Sequence, residues 1–581
     1  MFNSENMTLQ WTRMMDRVQA KRAVLAQPAT AFVSQPEPRT IGSFARGRQL
    51  SAGNFVFAGH LVQQPDTSIW DLPSPDPGFT EELHGFVWLD DLAAAGDAPA
   101  RQRAQDWLSG WIKRYGKGSG PGWTPELTGR RLIRWINHAL FVMLGRNDAA
   151  VTGPFYRSLA QQTIFLGRRW RASRPGLARF EALTGLIYAG LSLEGMEAHV
   201  EPAIKALAQE CDSQIGLEGG LPTRNPEDLL EVFTLLNWAA VALTESGRTP
   251  SREHWQAIER IAPTLRTLRH SDGGLARFHG GGRGLEGRLD NALASSGIKT
   301  RQADGLSMGY ARLSAGRTSV IIDAAPPPTG KASANGHAST LAFELTSGRR
   351  PLIVNCGSGA SFGRDWRRAG RATPSHSTLV LASRSSARLG TGSLSKEWLT
   401  DTPKDVPVKM SQAPDGLRFE GAHDGYAQTH GLTHVRKVEM TFDGRGIAGE
   451  DMLIALNEGQ QRQFDKVMEA RALQGIPYEV RFHLHPDVDT AVDLGGTAVS
   501  MALKSGEMWI FRTDGPMNVS LDPSVYLEKT RLKPRATKQI VLSSVAMEYA
   551  TRTRWSLSKA QDTPISIRDL KREALEPVAE D

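Results

Sequence analysis

From about Ala98 to Leu268 the apolar residues recur at three- and four-residue intervals, broken by Gly and Pro. In TPELTGRRLIRWINHALFVML, Leu132, Ile133, Ile136, Leu140 and Met143 share one helical face, with Thr124 as N-cap and Pro125 in the first turn. RFEALTGLIYAGLSLEG, VEPAIKALAQECDSQI and PEDLLEVFTLLNWAAVAL continue the pattern, so this half predicts a helical array. After Gly305 the period falls to two. RTSVIID, STLAFELTSG, RPLIVN, HSTLVLA, HVRKVEMTFD, YEVRFHLHPDV, EMWIFRTD and KQIVLSSVAMEY are short, rich in β-branched or aromatic residues, and separated by turn clusters. Strands repeated with few helices between them predict an antiparallel β-sandwich. The Gly-rich segment from Arg269 lies between the two regimes, which places the boundary near residue 300: a leading segment 1–97, a helical domain 98–300 and a sandwich domain 301–581.

Length agrees with that division, since 581 residues exceed what one hydrophobic core supports. The net charge of +7 is spread along the chain, without the lysine-rich block of a nucleic-acid tail. Arginine is concentrated in GRRLIRW and GRDWRRAGRAT, where guanidinium forks suit an acidic ligand and where a solvated basic face is the alternative. Cys211 and Cys356, the two cysteines, build no disulfide framework. No apolar run approaches the roughly 20 residues of a membrane span, and the first residues lack the apolar core of a secretory signal, which points to the cytoplasm.

The candidate chemistry lies in NGHASTLAFELTSGRRPLIVNCGSG and the downstream TPSHSTLVL. His337, Asn355 and His376 each border a predicted strand. Neighbouring strands run about 4.8 Å apart, so the three can converge on one metal ion, or serve as hydrogen-bonded turn formers. His483 and His485 alternate onto one strand face, a second possible ligand pair or simply solvent-facing or hydrogen-bonded residues. Tyr188 reads as packing, and the HGGGRG at His279 lacks the Lys-Ser/Thr of a phosphate loop.

This region resembles the heparinase II/III-like polysaccharide lyases. Their His-x-His-x-Asp element corresponds to Asn335-Gly336-His337-Ala338-Ser339, ahead of Ala342-Phe343-Glu344-Leu345; their Asp-x-Gly to Asn355-Cys356-Gly357; and their His-Asn-Thr to His376-Ser377-Thr378. The resemblance implies an (α/α) toroid followed by an antiparallel β-sandwich, and β-elimination on an acidic, uronic-acid-containing polysaccharide. That reaction neutralises the C5 carboxylate, removes its α-proton and protonates the departing O4. It implies a possible zinc ion on His337, Asn355 and His376, with Asn335 in the place of the proton-transferring histidine. The expected catalytic set is Asn335, Tyr310, His138 and Arg224, with Asn137 and Asn225 binding substrate; Tyr310 stands in for the family's toroid tyrosine, whose place near GGLPTRNP holds Arg224 and Asn225, and the alternatives are core packing for Tyr310 and a helix-flanking charge for Arg224. Asn137 and His138 lie off the apolar stripe of their helix, where they either face a cleft or form a satisfied surface pair. The resemblance favours the periplasm or cell envelope, against the cytoplasmic reading. Two rival functions remain: a catalytically impaired carbohydrate-binding relative, and a glycoside hydrolase using Glu218 and Glu227.

Overall fold

The computed structural model describes residues 4–563 apart from 27–28, 35–36, 147–148, 301–304, 393–395 and 516. The expected boundary at 300/301 adjoins residues outside that set, as do the chain's first three and last eighteen residues.

Thirteen helices of the first half are α1 Ser4–Ala23, α2 Phe44–Ser51, α3 Pro77–Gly85, α4 Trp88–Ala95, α5 Ala98–Tyr115, α6 Pro125–Asn137, α7 Ala139–Met143, α8 Ala149–Arg169, α9 Leu177–Ser192, α10 Val200–Gln214, α11 Pro226–Glu245, α12 Arg252–Thr267 and α13 Arg288–Ser295. Helices α6, α9 and α11 lie side by side as an inner layer, backed by α8, α10 and α12. The sequence starts them with real caps. The Thr124 and Asn225 side chains accept backbone N–H groups of the first turns of α6 and α11, and Pro125 and Pro226 follow. The helical unit begins earlier than residue 98. Phe79, Phe86 and Trp88 from α3, the turn after it and α4 share one core with Trp111 and Trp135.

Helices α6 and α9 approach so closely that their glycines have no substitute. A Cβ on Gly129 would stand 2.3 Å from the Glu181 carbonyl oxygen, and one on Gly185 2.5 Å from the Gly129 Cα. Gly129→Ala must therefore push the helices apart, and we expect it to cost about 1–3 kcal/mol in chemical denaturation; an unchanged midpoint would contradict the close crossing.

The second half is a sandwich of two antiparallel sheets. One runs Asn518–Tyr526, Arg535–Ala546, Ile476–Leu484, Arg350–Val354, Phe343–Ser347, Thr318–Asp323, Tyr310–Ala315, with Leu379–Leu381 beside Ile476–Leu484. The other runs Val408–Ala413, Gly416–His423, Thr433–Thr441, Gly446–Ile454, Ala550–Gln561, Met508–Asp514, Ala498–Leu503, Val488–Asp493. Phe343, Phe482, Phe511 and Trp555 pack between them. The predicted helical array followed by a sandwich is the observed architecture, and the sheet order brings the ends of four neighbouring strands, with Asp323, His337, Asn355 and His483, to one edge facing the helical domain.

One local expectation fails. The helix expected through Met143 breaks at His138 (φ −103°, ψ 18°), and Leu140 is 73% exposed instead of on a buried stripe.

Candidate functional site

The centre of the site is three imidazoles. His337 Nδ1 lies 3.0 Å from His376 Nε2, and His376 Nδ1 lies 2.9 Å from the Ala372 carbonyl oxygen. A carbonyl only accepts, so the His376 proton sits on Nδ1 and its Nε2 accepts the His337 Nδ1–H. The third ring, His279, accepts the His337 backbone N–H on Nδ1 at 3.0 Å and turns Nε2 toward Asp323 Oδ2 at 3.4 Å. Burial drives the His337 pKa well below its ordinary value, helped by the neighbouring His376 and His279, and holds His376 at about 4. Both rings are neutral at pH 7.

His279 and Asp323 escaped the sequence reading. The signals were a histidine opening a glycine run and an acid ending the apolar strand SVIID. The glycines serve close approach: a Cβ on Gly280 (φ +86°) would meet Asn335 Cβ at 2.8 Å, and one on Gly281 would meet Asn225 Oδ1 at 2.5 Å. Asp323 is sealed; burial alone would raise its pKa, but the Arg224 charge and His279 hold it far below the carboxylate range.

Several expected site residues have other tasks. Arg224 spends all five guanidinium donors inside the protein, on the carbonyls of Met308, Gly309, Ala325 and Pro326 and on Asp323 Oδ1 at 2.6 Å. No donor is left for a substrate carboxylate. Tyr310 is fully buried and its hydroxyl donates to the Arg224 carbonyl at 2.6 Å, which removes it as a proton donor. Asn225 is the α11 cap, its amide oxygen taken by the Glu227 and Asp228 N–H groups. His138 does not face a cleft: it is 7% exposed and its Nε2 meets Asp90 at 2.8 Å and Thr40 at 3.0 Å. Asn137 is 1% exposed, and neither its amide nitrogen nor its oxygen has a partner. The inner helices are covered on every side, so lying off the apolar stripe does not mean facing solvent. Asn335, by contrast, is exposed, its amide oxygen accepting from Arg367 at 3.2 Å.

Of the three donors expected for zinc, His337 and His376 lie with ring nitrogens 3.0 Å apart, and Asn355 Oδ1 accepts the Ser377 N–H at 2.9 Å. Among the described residues no group of three or more His, Cys, Asp or Glu side chains is arranged to hold a metal ion. His483 and His485 are buried rather than solvent-facing; His483 is hydrogen-bonded to the Pro374 carbonyl and the Ser524 hydroxyl, and His485 stacks edge-on against Tyr526. The arginine-rich stretches divide: Arg131 is sealed over the Trp111 ring and Arg371 binds the Ser333 and Gly336 carbonyls, while Arg364 and Arg368 are exposed.

A second buried network holds the site from behind. Arg436 pairs with Asp451 at 2.8 and 3.1 Å and donates to the carbonyls of Leu341 and Ser377, in the loops that carry His337 and His376. His434 and the Trp555 indole complete the Asp451 shell.

Residues 297–556 match the family described as heparinase II/III-like, C-terminal. The chain belongs to the heparinase II/III-like family. The fold is shared with family enzymes over nearly the whole length. Heparinase III superimposes with a TM-score of 0.65 at 14% identity, over 93% of this chain and 88% of that one. Heparan sulfate lyase HepC (mutant) from Pedobacter heparinus gives 0.58 at 14%, over 95% and 89%. This heparinase II/III-like chain is also 30% identical over 552 residues to FtsZ-localized protein C of Caulobacter vibrioides (strain NA1000 / CB15N), covering 93% of this chain and 92% of that protein. Among the described residues no helix is long and apolar enough to cross a membrane, and both cysteines are free and buried.

Proposed function

We propose that the chain is a carbohydrate-binding member of the heparinase II/III-like family that does not cleave its polymer by β-elimination. The observation that carries this reading is the state of the proton-handling positions: Asn335 offers an amide where the family resemblance puts a base, and the Tyr310 hydroxyl is buried on the Arg224 carbonyl. The remaining imidazoles are neutral and bonded to one another. Cations near the domain junction are already matched by carboxylates, Arg130 with Glu181 at 2.7 and 2.8 Å and Lys529 with Glu227, so a uronate finds few free charges there. The same pairing argues against hydrolysis by Glu218 and Glu227, because Glu227 is held by Lys529 and the Gly282 N–H. The relative named for localisation with FtsZ, similar over 92% of its length, supports placing this binding role at sites where FtsZ localises.

Incubation with a panel of uronic-acid polymers is expected to give no rise in unsaturated-uronate absorbance and no new reducing ends, while affinity electrophoresis in the same polymers retards the protein. An absorbance rise that disappears in His337→Ala would overturn the reading in favour of a lyase. Reducing ends without absorbance would establish a hydrolase.

A further inference from the structure

A cavity of about 190 Å³ opens between α11, α13 and the segment 38–41. Its wall holds two arginines, Arg39 and Arg288, and no Asp or Glu. Each guanidinium is tied at one corner to a carboxylate outside the wall, Arg39 to Glu245 and Arg288 Nη1 to Glu231 at 2.8 Å. Among the described residues their other nitrogens have no partner.

Between the two arginines α11 contributes Asn237 and Trp238, 4% and 7% exposed. The Asn237 amide nitrogen donates to the Phe233 carbonyl at 2.8 Å, and among the described residues its oxygen accepts nothing and the Trp238 indole N–H has no acceptor. Neither atom belongs to the sealed polar atoms that lack partners, a class that includes the Trp135 indole and both ends of Asn137. They are therefore reachable through the opening they line. Asn291 adds an unpartnered amide from α13, and Ile41 and Val241 supply an apolar side.

We infer that this cavity binds a small organic anion, a carboxylate or phosphate carried on a hydroxylated body about the size of one sugar ring. Free guanidinium edges recognise the planar or tetrahedral oxyanion, and a wall without carboxylates does not oppose its charge. An open amide oxygen beside an open indole N–H matches the donor and acceptor of a hydroxyl group. The volume is on the scale of one sugar ring. The cavity is separate from the histidine centre. Asn237 lies twelve residues beyond the Asn225 cap that borders it, about 18 Å along the helix. The inference stands whether or not the domain junction binds a polymer.

Isothermal titration of the full chain with glucuronate, glucose 6-phosphate and glucose tests it. We expect at least one of the two anions to bind with a Kd of about 1 mM or tighter, and glucose to bind at least about tenfold more weakly. Preference for glucuronate assigns the carboxylate and preference for glucose 6-phosphate the phosphate. Arg39→Gln, at a partly exposed side chain, and Asn237→Leu are each expected to weaken binding by about tenfold or more, while Arg418→Gln on the sandwich surface leaves it unchanged. The inference falls if neither anion binds at about 10 mM, if glucose binds as well as they do, or if Arg39→Gln and Asn237→Leu both bind as the parent does.

Discussion

Lowering the pH from 7 to about 5.5 is expected to remove a large part of the stability of the fold, on the order of 5 kcal/mol. The cause is an unusual stock of sealed histidines. Burial holds His254, His376 and His483 at about 4, and burial holds His84 and His485 at about 3, with Arg131 adding to the effect at His84. All five are at most 2% exposed. In the unfolded chain each takes up a proton near pH 6.5, while in the folded chain it resists until pH 4 or below. Between those values these rings bind more protons in the unfolded state, so their contribution falls as pH falls, by about 1 kcal/mol per histidine over one pH unit, and the buried Asp91 and Asp228 carboxyls, raised by burial to about 6 and about 7, offset part of that loss. Asp323 and Asp451, held below the carboxylate range although burial alone would raise them, lose their contribution only at still lower pH. Urea midpoints measured from pH 7.5 to 5 should drop steeply from about pH 6.5. His254→Gln, which keeps a donor for the Leu236 carbonyl, should flatten the slope by about one proton. A midpoint that stays level to pH 5 would mean that these rings are already protonated or already wet.

Regular structure was readable because it is periodic. The cap at Thr124, the helix start at Pro125, and the strands around Val320, Leu345 and Phe482 follow from local spacing and turn chemistry, whereas the Asn225 cap was read as a substrate ligand. The His337–His376 pair was found because a short motif marked both residues. What the sequence hides is whether a polar side chain is already used. Arg224 is engaged by Asp323, ninety-nine residues away, and Tyr310 by the Arg224 carbonyl, eighty-six away. Nothing in GGLPTRNP or SMGYARL records either partner. Asn137 and His138 were misread for a related reason: amphipathic spacing assumes one solvent face, and α6 is enclosed by α9, α3 and α8. His279 reaches His337 across fifty-eight residues, through a glycine run that no periodicity describes.

Replacing Arg224 with methionine is expected to cost about 3–5 kcal/mol, the typical penalty for stranding one member of a buried ion pair. Asp323 is 0% exposed, so without the guanidinium its charge keeps only the Ser339 hydroxyl at 2.6 Å and the more distant His279 ring. Four carbonyls from residues 308 to 326 lose the guanidinium at the same time, with only Gly309 keeping a backbone donor, the Ala324 N–H, among the described residues, and these belong to the segments that join the sandwich to α11. The side chain also lies over the Tyr310 ring at 4.8 Å, so packing at the junction is lost with the charge. The Arg224→Met, Asp323→Asn double variant removes both charges and should be clearly less destabilised than the two single losses added together, with a coupling of about 1–3 kcal/mol. Additive losses would show that the two residues act separately and that Arg224 is not the pin between the domains. A substrate-binding Arg224 predicts a different outcome, loss of glycan affinity in Arg224→Lys with an unchanged denaturation midpoint. The pin predicts the reverse: a lower midpoint in Arg224→Lys, because one ammonium cannot replace a fork with five bonds, and retained affinity in the fraction that stays folded.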